Sequence, residues 1–558
     1  MTPTIRSTGH DRPAHLGDFT LTPRVLFVAA VALPVGAASA LAAFALLRLI
    51  GLITNLVFYQ RAATTLVSPG GGHHPAWLVL SAPIVGGLVV GVMARFGSEK
   101  IRGHGMPEAI EAILIGGSRV SPRVAVLKPV SAAVSIGTGG PFGAEGPIIM
   151  TGGAVGSILA QVLTLSADER KALLVAGAAG GMAATFNAPL ASVLLAVELL
   201  LFEWRPRSLI PVAAAVSTAV ICRGPLLGTA PVFPVTDLVR PGAGAQALAL
   251  IPGLTGGLLA IAATWLVYAA EDAFARLPVH WMWWPAIGGS VIGVGGLIEP
   301  RALGVGYDVI DSLLTGRAAL SLILGILLVK TVIWSLSLGS GTSGGVLAPV
   351  FMIGGALGAL EGMALPTVFP GFWAMAGLAA VVGGVMRSPL TGVVFTLELT
   401  HAWNDAPSLL VASISAYGLS ALLLKRSVLT EKIARRGLHL TREYSTDPLD
   451  AFYAHEVMTP ADRASDPDTR PPVVVHADNT LREVANALAH HGVTEATVIH
   501  RGDAAGPAGV INLGQLLHAR RHDLHEEHHR ERHIPTHRGP THLTRSERPE
   551  KRPPEVPA

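Results

Sequence analysis

Residues 143–147 read Gly143-Ala144-Glu145-Gly146-Pro147 and lie between two long apolar stretches. A carboxylate at membrane depth is energetically costly, so it is rarely found there without a function. The flanking glycines and the proline break the chain just before an apolar segment, residues 148–163. A helix that begins at such a break directs free backbone N–H groups toward one point, which attracts anions. Because Glu145 is itself an anion, it can compete with a bound anion for that point, and such competition is the basis of a gate.

The chain has few charged residues for a protein of its length. Of its 558 residues, 50% are hydrophobic and 14% are charged, whereas soluble domains carry about 25% charged residues. The charge deficit between Arg24 and Arg426 predicts a polytopic membrane protein. Residues 24–58 are too long and too interrupted for a cleaved signal peptide. The single cysteine, Cys222, excludes an intrachain disulfide and a cysteine-based metal site.

Basic residues at both ends of the chain predict its orientation. Arg6, Arg12 and Arg24 lie at or before the start of the apolar region, and the C-terminal region is rich in Arg. By the positive-inside rule, both termini are expected to be cytoplasmic, with an even number of spans between them. We therefore expect a multi-pass protein of a cell membrane, in contact with the lipid bilayer and without a nucleic-acid partner.

The apolar segments differ in length. About 20 residues are needed to cross a bilayer as a helix. Residues 27–59, 77–94 and 248–269 are long enough, whereas residues 107–115, 173–184 and 372–382 are short and have Gly or Pro in or near them. Short, broken helices at corresponding places predict inverted-topology repeats that meet at a midplane site.

An internal repeat is visible by direct comparison. Residues 176–200 resemble residues 376–400 at an offset of 200, and upstream the offset of 202 aligns Lys128 with Lys330. Matching lysines and prolines at fixed spacing argue against a chance resemblance between apolar, Gly-rich segments. In this alignment Glu145 meets Leu347, so the carboxylate belongs to one half only.

Three glycine–proline breaks occur within the apolar region, at residues 103–108, 143–147 and 344–349. Each precedes an apolar helix, so each can present a positive helix end to the same anion. One such break is weak evidence, because Gly-rich breaks usually serve helix packing. Three breaks in a two-half chain, with one acidic residue among them, predict an anion site.

With this pattern the chain resembles the CLC family of chloride channels and proton-coupled chloride transporters over residues 27–437. The breaks look like the family motifs GSGIP, GREGP and GIFAP, in the same order. The resemblance implies an all-α membrane fold and a homodimer with one anion pathway in each subunit. It also implies that Glu145 is the gating glutamate. The anion-binding positions that it implies are His104, Gly105, Gly146, Val346, Leu347 and Leu429.

Three of these positions depart from the family pattern. His104 stands where the family usually has a serine, Leu429 replaces a tyrosine, and Leu347 replaces a phenylalanine. A neutral imidazole donates one hydrogen bond to an anion, and an imidazolium adds charge. Alternatively, His104 points away and bonds a backbone carbonyl. These changes leave selectivity open between chloride and another small anion, such as fluoride or nitrate.

Leu199 bears on proton coupling. Proton-coupled members of the family end the run after Asn-Ala-Pro-Leu with two glutamates, the second being the inner proton acceptor. Here Leu199 occupies that position, and leucine cannot carry a proton. Glu198 aligns with Glu398, which favours a structural role over a proton relay. The sequence therefore predicts a passive chloride channel, gated by voltage or pH and opened when Glu145 is protonated.

Other functions stay open at this point. One alternative is a proton/chloride antiporter or a carrier of a different anion. A membrane enzyme with Glu145 as general base is another, although no catalytic partner lies near it in the sequence. Lys128 and Lys330 lie in apolar segments at equivalent positions. They either draw anions inward by their charge or bond backbone carbonyls.

The region after Arg426 is polar. Residues 473–475, 481–488, 496–499 and 509–517 have the patterns of a strand, a helix, a strand, and a strand running into a helix. This α/β region, residues 455–520, resembles a CBS domain. Paired CBS modules bind adenine nucleotides, but one copy is visible here, so a purely structural cap is the alternative. No other cofactor is predicted.

The composition also predicts the boundaries of the domains and of the segments between and beyond them. We expect a cytoplasmic arm at residues 1–23, a transmembrane domain at 24–437, a linker at 438–454 and a charged, disordered tail at 521–558. Four histidines near the tail fall on one face at helical spacing: His518, His522, His525 and His529. Such a face can bind zinc, but the interleaved Arg and Glu fit a solvated helix better.

Overall fold

The computed structural model describes residues 21–114, 117–163, 165–235, 239–437, 449, 452–461, 473–501 and 507–520. They belong to two compact units, a helical one within residues 19–444 and a small α/β one within residues 445–558. Most of the predicted arm and linker and the whole predicted tail lie outside the described residues. The domain boundaries therefore stay predictions.

The first half of the helical unit consists of helices of very unequal length. Its helices are α1 Arg24–Tyr59, α2 Ala76–Phe96, α3 Met106–Leu114, α4 Pro122–Gly137, α5 Glu145–Val162, α6 Ala167–Phe186, α7 Pro189–Leu195 and α8 Pro206–Leu227. A π-helical segment, Ala196–Leu201, continues α7.

The second half is also a succession of helices of unequal length. Its helices are α9 Ala243–Leu248, α10 Leu250–Ala275, α11 Trp284–Ile298, α12 Tyr307–Leu314, α13 Leu320–Gly325, α14 Thr331–Gly339, α15 Leu347–Glu361, α16 Phe372–Met386, α17 Pro389–Thr400, α18 Ala406–Leu423 and α19 Val428–Arg435. A π-helical segment, Ile326–Lys330, joins α13 to α14.

Within the described residues, seven segments are long and apolar enough to cross a membrane, which confirms a multi-pass protein. As predicted, α3 and α16 are short, at 9 and 15 residues. The prediction of a short segment at residues 173–184 is wrong, because α6 has 20 residues. Its polar first turn belongs to the helix, where Ser166 and Glu169 cap each other's backbone N–H groups at 3.3 and 2.8 Å.

The two halves reverse the chain at equivalent places. Asn187 ends α6 with φ 55°, and Arg387 ends α16 with φ 54°. This left-handed conformation is uncommon outside glycine and asparagine. The Arg387 guanidinium donates to the carbonyl of Ser420 at 3.0 Å, and the Asn187 amide donates to that of Thr229 at 2.9 Å. Different side chains thus anchor the same reversal in each half.

Reciprocal contacts relate the halves by a two-fold axis. Glu398 accepts hydrogen bonds from the N–H groups of Leu190 and Ala191, at 3.0 and 2.8 Å, where α7 begins. Glu198 accepts one from the N–H of Thr391 at 2.9 Å, where α17 begins. Each carboxylate therefore caps a helix of the other half, which supports the structural role favoured for this pair. The reciprocity is that of a two-fold interface, and the predicted inverted repeats are confirmed.

Close helix contacts hold α5, the helix that begins with Glu145. A Cβ at Gly152 would lie 2.2 Å from the carbonyl oxygen of Gly177, and one at Gly177 would lie 2.0 Å from that of Gly152. Because neither position admits a side chain, α5 and α6 pack backbone to backbone. Gly354 and Gly377 make the same contact between α15 and α16.

The small unit is an α/β structure. It contains helices α20 Ala454–Val457 and α21 Leu481–His491 and strands β1 Thr459–Pro460, β2 Val474–His476, β3 Glu495–Ile499 and β4 Pro507–Asn512. The sheet order is β1-β4-β3-β2, with β2 parallel to β3 and the other pairs antiparallel.

The predicted order of strand, helix, strand and strand into helix is confirmed, since residues 513–520 are helical. Its identity as a CBS module and its binding of nucleotide stay predictions. His518 is exposed on this helix, whereas His522, His525 and His529 lie outside the described residues.

Candidate functional site

Three helix starts meet inside the helical unit, those of α3, α5 and α15. Gly143 and Gly345 exchange backbone hydrogen bonds at 3.3 and 2.8 Å, which forms an antiparallel bridge between the two halves. Gly103, just before α3, donates its N–H to the carbonyl of Gly341 at 3.3 Å. The first N–H groups of a helix have no intrahelical partner and carry partial positive charge. The predicted breaks therefore place three positive helix ends around one space.

Glycines allow α3 and α5 to approach so closely. A Cβ at Gly146 would lie 1.8 Å from the carbonyl oxygen of His104, and one at Gly105 would lie 2.9 Å from that of Gly146. Gly105 also has φ +86°, which side-chain-bearing residues rarely adopt. Both glycines predicted for the anion site thus lie where α3 and α5 meet.

Glu145 is the first residue of α5 and is completely buried. Its carboxylate lies against Gly143 and Gly345, whose Cβ atoms, if present, would be 1.8 and 2.4 Å from Oε2. Neither oxygen has a hydrogen-bond partner within the described residues, although the N–H groups of Glu145 itself and of Ala348 interact with the carboxylate. The carboxylate thus occupies the space between the starts of α5 and α15.

Val346 and Leu347 lie at the start of α15, and both are buried. The carbonyl of Val346 accepts the first intrahelical bond, from Val350 at 3.2 Å. The N–H groups of Val346 and Leu347 therefore precede the helical ladder and are available to an anion. Leu347 begins α15 as Glu145 begins α5, so the aligned residues occupy equivalent positions.

His104 is 3% exposed, and its Nδ1 makes no hydrogen bond with any described residue. It lines a cavity of about 510 Å³ together with Glu108, Lys432 and Arg436. Glu108 pairs there with Lys432 at 3.5 Å and with Arg436 at 2.9 Å. The His104 ring therefore lies beside a charged cavity, and Nδ1 is not engaged by a backbone carbonyl.

Leu429 is completely buried in α19, a helix that packs against α3. The cavity beside His104 is lined instead by charged residues of the same helix. Tyr268 of α10 also faces the cavity, but its hydroxyl donates to the carbonyl of Val428 at 2.5 Å. This phenol holds α19 in place and does not substitute for the one that Leu429 replaces.

The buried lysines bond backbone carbonyls, one of the two roles considered for them. Lys128 Nζ donates to the carbonyls of Ile101 and Gly103 at 2.8 and 2.6 Å. Lys330 Nζ makes two such bonds of 2.8 Å, one of them to Gly304. Each lysine thus stabilises the loop that precedes a short helix.

Sequence reasoning missed a fourth break, residues 304–307, Gly-Val-Gly-Tyr. It leads into α12, its two glycines have positive φ angles as Gly103 and Gly105 do, and an offset of 201 aligns the two breaks. The repeated Gly-x-Gly was a sufficient signal, but it lacks the proline of the other breaks. Here the Tyr307 hydroxyl is buried without a hydrogen-bond partner in the described structure. Tyr307 and Lys330 both lie close enough to Glu145 to interact electrostatically.

Leu199 lies in the π-helical segment after α7 and is 1% exposed. The segment packs against α3, so Leu199 is near the helix that follows His104. Its neighbour Glu198 caps α17, as described above. The position expected for an inner proton acceptor is therefore apolar and enclosed.

The arrangement concentrates positive partial charge around a small space. Three helix ends supply N–H donors, two buried lysines add positive charge, and Glu145 fills the space between two of the ends. Such a site favours a negative charge without needing a formal cation in direct contact.

Comparison with known proteins agrees with this geometry. Residues 86–421 match the family model described as voltage gated chloride channel. The H(+)/Cl(-) exchange transporter ClcA of Salmonella typhimurium strain LT2 is 31% identical over 402 residues, which cover 67% of this chain and 83% of that protein. The protein of the same name from Salmonella arizonae is 31% identical over 383 residues, covering 65% and 79%.

Solved structures share the fold. A slow cyanobacterial Cl-/H+ antiporter superposes with a TM-score of 0.64 at 22% identity, covering 75% of this chain and 99% of that one. A eukaryotic CLC transporter superposes with a TM-score of 0.61 at 19% identity, covering 88% and 97%. The chain therefore belongs to the CLC family of chloride channels and proton-coupled chloride transporters, a family of transport proteins rather than enzymes.

Proposed function

We propose that this chain exchanges chloride for protons across a cell membrane, with Glu145 both blocking the anion pathway and carrying the proton. Chloride transport follows from the family, and the proton coupling is our extension from relatives named as H(+)/Cl(-) exchange transporters. It takes the place of the passive channel that the sequence favoured.

The observation that carries the proposal is the position of the Glu145 carboxylate. It is buried between two helix starts, in the space where their N–H groups favour negative charge. When ionised, the carboxylate holds that space and excludes an anion. When protonated, it is neutral and loses this attraction, so an anion takes its place. Alternate occupancy of one space by a carboxylate and by chloride couples proton uptake to anion movement.

A passive chloride channel is the second candidate, and Leu199 favours it. An apolar, enclosed residue at the expected inner acceptor position gives a proton no binding site there. In that case Glu145 protonation opens a conducting pathway without a fixed ratio of protons to chloride.

Flux measurements on purified protein in liposomes distinguish the two candidates. Under a chloride gradient, an exchanger moves protons uphill in proportion to chloride. A channel moves chloride alone, so rapid chloride flux without uphill proton movement would contradict exchange.

Glu145→Gln tests the role of the carboxylate, because glutamine has the same size but does not ionise. We expect chloride flux that no longer depends on pH and no coupled proton movement. Glu361→Gln is a matched control, since Glu361 ends α15 on the opposite side from the site and bonds Thr255. Acid-gated flux that persists in Glu145→Gln would remove Glu145 from the mechanism.

The proposal extends to anion binding and assembly. His104, Gly105, Gly146, Val346, Leu347 and Leu429 surround the pathway in this proposal. Two subunits of 57.8 kDa form a homodimer, each with its own pathway. Light scattering in detergent measures the protein mass, and a monomer with full transport would contradict the dimer.

Orientation and regulation complete the proposal. Both termini are cytoplasmic, and the α/β unit is a CBS-like module that binds adenine nucleotide only if a second copy completes it. Calorimetric titration of the full chain with ATP tests this binding, and the absence of heat would leave the module a structural cap.

A further inference from the structure

We propose that His104 is the proton acceptor on the cavity side of the pathway and passes protons toward Glu145. This inference rests on the proposed proton-coupled exchange. In this chain His104 would then take up the proton, a step that Leu199 cannot perform.

The need for such a group comes from the region around Leu199. Leu199 carries no titratable atom, and Glu198 beside it is engaged with the N–H and hydroxyl groups of Thr391, at 2.9 and 2.6 Å. A proton that reaches Glu145 from the cavity therefore needs another carrier. Histidine is the side chain whose ordinary titration falls nearest neutral pH, so it accepts and releases protons readily.

His104 has the geometry of a carrier. The residue lines the cavity, it is only 3% exposed, and Nδ1 has no partner among the described residues. Its carbonyl packs against Gly146, which directly follows Glu145 in the chain. Two buried groups, the imidazole and the carboxylate, thus belong to segments in direct contact.

The charges around His104 link proton binding to anion binding. The groups that face it are Glu108 from α3, Lys128 from α4, and Lys432 and Arg436 from α19 or its end. Burial opposes a positive charge on the ring, and so does the presence of three cations against one carboxylate. An anion in the cavity offsets this repulsion, because opposite charges attract strongly where water is scarce. We therefore expect the proton on His104 and the anion beside it to bind together.

The proton balance of the step is simple. A hydronium ion in the cavity gives its proton to the neutral His104 ring and becomes water. The imidazolium then gives a proton to the Glu145 carboxylate, directly or through water, which leaves a neutral ring and a neutral carboxyl group. No other bond forms or breaks, and nothing is oxidised or reduced.

The test compares chloride and proton fluxes of the full-length chain in liposomes under a chloride gradient. His104→Asn keeps a polar side chain of similar reach but does not titrate. We expect the number of protons moved per chloride to fall about a hundredfold, as when a positioned proton-transfer group is removed. His401→Asn is the control, because His401 is exposed and its φ of 60° suits asparagine.

A second variant separates a proton role from structural damage. In the His104→Asn background, Leu199→Glu places a carboxyl group at the other candidate position. Recovery of proton movement in the double variant supports the inference, since a damaged fold would not be repaired by a second buried substitution.

The outcomes distinguish the two levels of the proposal. If the wild-type chain moves no protons uphill, the exchange function fails and this inference fails with it. If the wild type is coupled and His104→Asn keeps the same ratio of protons to chloride, the inference alone is overturned. Loss of chloride flux together with proton flux in His104→Asn, without recovery by Leu199→Glu, also overturns it.

Discussion

Replacing Gly143 with alanine is expected to expel the Glu145 carboxylate and leave the anion pathway open at every pH. The new Cβ would lie 1.8, 2.3 and 2.4 Å from Oε2, Oε1 and Cδ of Glu145, and these are its three closest neighbours. The backbone at Gly143 is outside the left-handed region, so alanine introduces no strain of its own. The substitution therefore acts on one flexible side chain.

The size of the effect follows from these distances. To reach an ordinary contact of 3.4 Å, Oε2 must retreat by roughly 1.6 Å, the difference from its present 1.8 Å. A separation of 1.8 Å is far too short for two atoms that are not bonded, so the carboxylate cannot stay in its present position. Shifting a two-state equilibrium from 1:99 to 99:1 needs only about 5.5 kcal/mol. The space that the carboxylate now occupies is thus expected to be free for an anion at every pH.

Chloride efflux from liposomes, measured from acidic to neutral pH, checks this prediction. Gly143→Ala should carry chloride at neutral pH as fast as at acidic pH, and its protons should be uncoupled. Gly153→Ala within α5 is the control, because its Cβ would meet its nearest neighbour at an ordinary 3.4 Å. The control should keep the wild-type pH dependence.

A double substitution tests whether both changes act on the same blocking group. Gly143→Ala and Glu145→Gln act on the same blocking group, so together they should change the flux no more than either alone. Full acid gating in Gly143→Ala would refute the idea that the carboxylate blocks the pathway in its present position. A slow, pH-independent flux would do so as well, because it would show that vacating this space does not open the pathway.

Three further changes test the framework around the site. Glu398→Gln weakens two charge-assisted bonds that cap α7, each of which contributes about 1.5–3 kcal/mol, so thermal unfolding should occur at a lower temperature; an unchanged transition would contradict the capping role. Lys330→Met leaves two buried carbonyls without a donor, at a cost of about 1–3 kcal/mol each, and removes a positive charge near Glu145, so stability and chloride turnover should both fall. Thr480→Ala removes the hydroxyl that caps α21 by accepting a hydrogen bond from the Glu483 N–H at 3.3 Å. The stability of the α/β unit should fall by about 1 kcal/mol, which faster limited proteolysis would show, while chloride flux stays the same.

Much of the fold was predictable because it is encoded locally. Apolar run length identifies membrane helices, and Gly and Pro mark the points where helices must begin or end. The internal repeat aligned Glu145 with Leu347 and Glu198 with Glu398 before any contact was known. The start of α6 was mispredicted because its charged first turn, which Ser166 caps, looks like a loop in a hydropathy pattern.

The fourth break shows a different limit. Residues 304–307 repeat the Gly-x-Gly of residues 103–105, but they carry no proline and no acidic residue. Their importance comes from where α12 lies, which brings Tyr307 into electrostatic reach of Glu145. A local pattern cannot report such an approach, because it joins segments more than 150 residues apart.

By itself, the sequence determined a two-half membrane protein with helix starts at three breaks and one carboxylate among them, because composition, periodicity and repeats are properties of the chain. Only the tertiary structure decided that the breaks meet, that Lys128 and Lys330 bond carbonyls, and that His104 lines a cavity with Nδ1 unpartnered. Those facts depend on which distant segments come together, and that is set by close packing across the two-fold axis.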